Sequence, residues 1–285
     1  MDQAKRLREQ LARPGMVVAP GAYDCITARM VEQAGFSAVY MTGAGTAATL
    51  GYPDYGLVTM SEMVGNAGRI ANAVGIPVIA DADTGYGNEL NVVRTIREYE
   101  KRGVAGLHME DQGFPKKCGH LDDKEIVPRA DWLAKIRAAA ASRSSRDFTV
   151  IARTDARAVA GFDEAIGRAN DAIEAGADMV FVEAPQTMDE VARVPQLVRG
   201  PCLLNVVYGG KTPEIDLSEA ERMGYKLAIV PGLLIKNVVG ICEQMLGELA
   251  ATRRHPKPVR EMTVRETFQL WGADEWDALR TRFRD

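Results

Sequence analysis

Apolar, β-branched-rich runs alternate with stretches of helical period eight times along the chain, which predicts eight βα units closed into a parallel (β/α)8 TIM barrel. The runs are Met16–Gly21, Ala38–Gly43, Pro77–Asp83, Ala105–Asp111, Phe148–Asp155, Met179–Ala184, Cys202–Val207 and Lys226–Gly232. Between them lie amphipathic stretches such as Asp24–Ala34, Ser61–Val74, Glu89–Arg102 and Asp163–Ala175, and a last one covers Leu233–Leu249. Gly35, Gly75, Gly103, Gly176, Gly200 and Gly224 each close a helical stretch ahead of a strand, where a left-handed residue is expected. An open doubly wound sheet is the alternative. Its glycine-rich phosphate loop would follow the first strand, whereas the nearest match, Gly43-Ala44-Gly45, follows the second and lacks the third glycine.

The length, 285 residues, suits one barrel of about 250 residues with an extension. A net charge of −4 gives no basic field, so nucleic acid is not an expected partner and small soluble substrates are. Cys25, Cys118, Cys202 and Cys242 follow no paired spacing, which argues for a reducing compartment and against zinc. The most apolar stretch, Leu227–Ile235, is about half a membrane span, and the N-terminus carries no apolar signal region. A cytoplasmic protein without membrane attachment is expected.

Nearly every run ends polar: Thr42-Gly43, Asp81-Ala82-Asp83, Glu110-Asp111, Arg153-Thr154-Asp155, Glu183 and Asn205. In a barrel these ends converge on one mouth. Asp81 and Asp83, two apart in a strand, are expected on one side of the sheet, with Glu110 beside them. Three hard oxygen acids placed together call for a cation and favour Mg²⁺ over zinc; the alternative, that these strand-end acids cap the following helices, suits Asp111 or Asp155 taken singly better than the three together. Arg153 suits a substrate carboxylate, or a buried ion pair with Glu183. The Thr42-Gly43-Ala44 turn exposes N–H groups suited to an oxyanion, and Asp54 caps a turn or reaches the metal's water shell. Six residues beyond Glu110-Asp111 stands Lys116-Lys117-Cys118-Gly119-His120, whose cations are expected to lower the thiol's pKa; a solvated turn is the plain alternative.

These motifs, with Asp81-Ala82-Asp83-Thr84-Gly85-Tyr86-Gly87, His108-Met109-Glu110-Asp111-Gln112, Ala152-Arg153-Thr154-Asp155-Ala156 and Glu183-Ala184, resemble the isocitrate lyase and phosphoenolpyruvate mutase superfamily over about residues 15–250. The resemblance implies Mg²⁺, with Mn²⁺ able to substitute, bound mainly through water by Asp81, Asp83, Glu110 and Asp54. It also implies a homotetramer built as a dimer of helix-swapped dimers, with residues 237–285 forming the exchanged helix and a C-terminal extension of a single domain. The cysteine-bearing loop is that of the lyase branch, which cleaves a 2-hydroxy dicarboxylate between C2 and C3. Cys118 would then be the general acid, with Lys116 and His120 beside it and Tyr40 a candidate base. Thr42, Gly43, Ala44, Asp81, Lys117, Gly119, Arg153, Glu183 and Asn205 would contact substrate. The Phe114-Pro115 lead-in resembles the mutases, and with Pro231-Gly232 it favours a small alkylmalate over a tricarboxylate such as 2-methylisocitrate. An oxaloacetate hydrolase, a phosphonomutase and a non-catalytic binding barrel are the alternatives.

Overall fold

The computed structural model describes residues 2–284. Eight parallel strands close in sequence order: β1 (Val17–Ala22), β2 (Val39–Met41), β3 (Val78–Asp81), β4 (Gly106–Glu110), β5 (Thr149–Thr154), β6 (Met179–Val182), β7 (Cys202–Asn205) and β8 (Leu227–Val230). The seam pairs Val17 of β1 with Leu227 of β8. Helices Cys25–Gln33, Met60–Ala73, Glu89–Lys101, Arg129–Ser142, Phe162–Glu174, Met188–Leu197, Leu217–Met223 and Leu233–Thr252 follow the strands, so the barrel reading and its order hold. The described residues through Asn237 form one compact unit, and those from Val238 onward a second that contains helices Val264–Gln269 and Ala273–Arg282.

Strand periodicity divides the core in two. Val39, Met41, Val78, Ala80, Val150, Ala152, Val180 and Val182 pack outward against the helices. Tyr40, Ile79, Ile151, Met179, Phe181, Leu203 and Ile229 fill the barrel interior, and Leu7 from the N-terminal helix Gln3–Ala12 joins them. The interior phase carried toward the C-terminal strand ends selects Tyr40, Asp81, His108, Glu110, Arg153, Glu183 and Asn205. One alternation rule therefore positions both the interior packing and the site.

Several boundaries differ from expectation for identifiable reasons. Thr42 leaves the second run to cap a short helix, Gly43–Thr49, by accepting from the Gly45 N–H. The six glycines divide: Gly35, Gly103, Gly176 and Gly224 are left-handed, whereas Gly75 and Gly200 are not. The helices before those two exit through extended Val74 and Val198, so no left-handed residue is needed. No helix among the described residues is long and apolar enough to cross a membrane, and all four cysteines are free.

Candidate active site

Asp81 is held from both of its carboxylate oxygens. Its Oδ2 accepts from the Tyr40 hydroxyl at 3.3 Å and the Gly43 N–H at 3.2 Å, and its Oδ1 from the Asp83 N–H at 2.9 Å. Burial pushes its pKa up, but His108, Lys116 and Arg153 outweigh that and hold it at about 2. The Tyr40 hydroxyl also lies 2.8 Å from His108 Nε2, and the two rings stack. Burial drives His108 down to about 4, so its imidazole is neutral near pH 7. Tyr40 is raised well above its ordinary value, by burial and then Asp81, and is a phenol rather than a resident phenolate.

Asp83 does not reach Asp81 by the strand pleat. The strand ends at Asp81, and a turn with Asp83 at a φ of +46° brings the two carboxylates together. Lys116 stands between the acids, its Nζ 2.5 Å from Asp54 and 2.8 Å from Asp83. Its side chain is buried, and the surrounding carboxylates overcome that burial and raise its pKa well above normal. Asp83 rises to about 6, chiefly through burial and also through Asp81, with Lys116 opposing. Glu110 is pushed well up by burial. Both Glu110 oxygens and Asp83 Oδ1 lack a partner with hydrogen-bond geometry, although Arg153 approaches Glu110 at 3.1 Å and Lys116 approaches Asp83.

A cation placed among these buried oxygens would balance their charge in place of the protons that their raised pKa values favour. Asp54, Asp81, Asp83 and Glu110 are all hard oxygen donors, which suits Mg²⁺. Among the described residues no three His, Cys, Asp or Glu side chains converge closely enough to ligate an ion directly. The donors therefore fit an ion that keeps water between itself and most of them.

The buried ion pair of Arg153 with Glu183 that the sequence offered is present, but it is not the arginine's main contact. Its two-pronged partner is Asp155, at 2.9 and 3.2 Å, and it also contacts Glu110 at 3.1 Å and Glu183 at 3.5 Å. Asp155 is in turn held at about 2, burial being outweighed by Arg153 and Lys124, and its carboxylate makes no cap hydrogen bond. Glu183 receives the Asn205 amide at 3.2 Å. His120 Nδ1 accepts from the Lys211 N–H at 3.0 Å, which leaves the proton on Nε2, 3.5 Å from Glu183 Oε1.

The expectation for Cys118 is overturned. Burial raises its thiol pKa, with Asp54 and Glu183 adding to the rise while the His120 N–H and Arg153 work against it. The two lysines and the histidine of its pentapeptide face elsewhere: Lys116 toward Asp54 and Asp83, Lys117 toward the Asp123 carbonyl at 3.2 Å, and His120 toward Lys211 and Glu183. The side chain of Lys117 is thus directed away from the mouth, and Ala44 is exposed at its rim. The loop lies closed: a β-carbon on Gly119 would collide with Glu183 and Arg153.

Three participants were not singled out in the sequence. His108 was detectable as the one ring nitrogen inside an apolar run. Gln112, which bonds both the N–H and the C=O of Lys117, stood in the His108–Gln112 motif without a role, and Lys124, buried against Asp155 at 2.7 Å, carries no pattern that marks it. Asp111 also proves to be an anchor rather than a helix cap, accepting from Thr154 at 2.6 Å and the Asp155 N–H at 2.7 Å and pairing with Arg168.

Charged groups gathered at the C-terminal strand ends belong to a barrel enzyme rather than a scaffold. Comparison then supplies the family. A model described as phosphoenolpyruvate phosphomutase matches residues 7–250, and the chain belongs to that family. The chain is 50% identical over 232 residues to a 2,3-dimethylmalate lyase from Eubacterium barkeri, covering 81% of this chain and 80% of that one. It is 42% identical to a 2-methylisocitrate lyase from Aeropyrum pernix, over 95% and 88% of the two chains. Among solved structures it resembles an oxaloacetate acetylhydrolase in complex with 3,3-difluorooxalacetate, with a TM-score of 0.94 and 37% identity over 98% and 96% of the chains. A phosphonopyruvate hydrolase in complex with oxalate and Mg²⁺ matches with a TM-score of 0.90 and 30% identity over the whole of both chains. The chain is a carbon–carbon lyase of the phosphoenolpyruvate mutase and isocitrate lyase superfamily.

Proposed function

We propose that the protein cleaves the C2–C3 bond of a 2-hydroxy dicarboxylate of the alkylmalate type, releasing a 2-oxo acid and a carboxylate. The observation that carries this reading is the closed loop that packs Gly119, next to Cys118, against Arg153 and Glu183 of the mouth, where burial raises the thiol's pKa. The fitting small substrate is 2,3-dimethylmalate, which would yield pyruvate and propionate; 2-methylisocitrate would yield pyruvate and succinate. The named relatives support both.

In the reaction the 2-hydroxyl loses its proton and its oxygen forms the new C=O. The C2–C3 electron pair moves onto C3 as an enolate-like dianion, and the Cys118 S–H delivers a proton there. A Mg²⁺ ion held by Asp81, Asp83, Glu110 and Asp54 would supply positive charge for the substrate's developing oxyanions. Tyr40 receives the 2-hydroxyl proton as its own passes to Asp81 Oδ2, 3.3 Å away, while His108 Nε2 lies 2.8 Å from the same hydroxyl. Lys116 keeps the acids compensated while the mouth fills, and Arg153, anchored by Asp155, presents its remaining face to a substrate carboxylate. His120, Asn205 and Glu183 form the wall opposite, with Thr42, Gly43, Ala44 and Gly119 at the rim. Closure of the loop excludes water from the dianion.

In the same reading the protein is cytoplasmic and a homotetramer. Helix Leu233–Thr252 buries none of its residues, although Val238, Val239, Leu246 and Leu249 are apolar, which suits a segment exchanged with a second copy.

A substrate panel tests the reading. Malate, 2,3-dimethylmalate, 2-methylisocitrate, isocitrate and oxaloacetate are assayed for pyruvate, glyoxylate and oxalate with Mg²⁺ and with a chelator. Pyruvate from an alkylmalate, abolished by chelator and restored by Mg²⁺ or Mn²⁺, is the expected outcome. Oxalate from oxaloacetate alone would instead assign the hydrolase, and full activity in chelator would remove the metal from the scheme.

A further inference from the structure

Lys124 lies beyond the reactive pentapeptide and takes no part in the scheme above, yet it is one of the most buried lysines of the chain. Its side chain is 1% exposed. Its Nζ makes two contacts, one to Asp155 Oδ1 at 2.7 Å and one to the main-chain oxygen of Gly119. The first ties it to the carboxylate that grips Arg153 in two places. The second ties it to the reactive loop one residue past Cys118. Immersing an ammonium this deeply is unfavourable unless its contacts satisfy it, so the position depends on both partners being in place.

The Gly119–His120 peptide is the hinge of this arrangement. Its carbonyl oxygen receives Lys124. Its N–H belongs to the residue two past Cys118 and works against the rise in that thiol's pKa. The α-carbon of Gly119 lies against Arg153 and Glu183 so tightly that no side chain fits. A cation fixed on the carbonyl thus holds the peptide unit that directly follows Cys118 and closes the loop onto the arginine.

We propose that Lys124 is a positioning residue: it latches the Gly119 carbonyl to the Asp155–Arg153 pair and so holds the reactive loop closed with Cys118 over the mouth. Opening the loop takes the Gly119 carbonyl off the ammonium, and closing it restores the contact. The proposal rests on the role given to Cys118 above, so its test includes a measurement that needs no turnover.

The experiment compares the full-length wild type with Lys124→Met and Lys124→Arg. Trypsin cleavage after Lys116 and Lys117, followed by peptide mass spectrometry on the Mg²⁺-loaded protein, reads the latch directly. Lys124→Met is expected to be cut there at least about fivefold faster while cleavage elsewhere is unchanged, and to lose about tenfold or more in kcat with KM within about twofold. Lys124→Arg, which keeps a donor for both oxygens, is expected to recover most of each effect. Wild-type cleavage of the loop in Lys124→Met would overturn the proposal, as would an arginine variant no better than the methionine one. Faster cleavage throughout the Lys124→Met chain would also overturn it, since that marks a general loss of structure. If the wild type cleaves no alkylmalate, the functional reading fails, while the loop-cleavage comparison still decides the role of Lys124.

Discussion

The Gly43 N–H donates to Asp81 Oδ2 at 3.2 Å, and a β-carbon added at Gly43 would stand 2.5 Å from that same oxygen. Asp81 is therefore seated by the absence of a side chain across from it. Because its other oxygen orders the Asp83 N–H, the position of one carboxylate sets that of the next.

Gly43→Ala is predicted to displace the Asp81 carboxylate and, through it, the turn carrying Asp83. A small misplacement of catalytic groups is costly, so kcat/KM should fall by about 10²-fold. Mg²⁺ affinity should fall with it. Circular dichroism and thermal unfolding check that the barrel persists, since the lesion is confined to the mouth. Unchanged Mg²⁺ affinity in the alanine variant would separate Gly43 from the cation site.

The fold was legible in the sequence because burial on both faces of each strand leaves continuous apolar runs, which the eight helical stretches punctuate. Leu7 and Leu11, four apart in a polar N-terminal segment, are the stripe by which helix Gln3–Ala12 packs, yet two residues amid arginines and glutamines give a weak pattern. The site was legible wherever strand alternation operates, as at Asp81, Glu110, Arg153, Glu183 and Asn205. It was not legible where side-chain direction decides the chemistry. Lys116, Lys117 and His120 sit within two residues of Cys118 in sequence, but each is aimed at a partner drawn from another segment. Sequence proximity therefore gave the wrong sign for the thiol's shift. Lys124 and Asp155 are 31 positions apart, and only the closed loop brings them together.

Metal binding should be linked to pH through Asp83. With its pKa raised to about 6, against an ordinary 3.8, the empty site holds a proton that a cation must displace. Mg²⁺ affinity should rise between about pH 5 and 7 with release of protons, and Glu110, also pushed up by burial, adds to that release. The sign for the metal-free fold is the reverse: the unfolded chain gives up the Asp83 proton near 3.8 and the folded chain near 6. Stability from this group is therefore present below 3.8 and is lost as pH climbs through 6. Titration calorimetry in two buffers of different ionisation enthalpy counts the protons. Zero protons released across that range would exclude Asp83 from the cation's surroundings.

Cys118 gives the most discriminating measurement. A raised thiol pKa would weaken a nucleophile but suits a group that must keep its proton until the dianion forms. The thiol exchanges with solvent before it reacts, so cleavage in D₂O should place one non-exchangeable deuterium on the carbon that was C3 of the substrate. A phosphonomutase would make no such acid. Cys118→Ser nearly keeps the size and offers a far less acidic hydroxyl, so turnover should fall by about 10²–10⁴ while Mg²⁺ binding survives. The metal site should be indifferent because its acids are compensated by Lys116 and not by the thiol. Near-wild-type cleavage by the serine variant, or a product without deuterium, would transfer the proton delivery to another group.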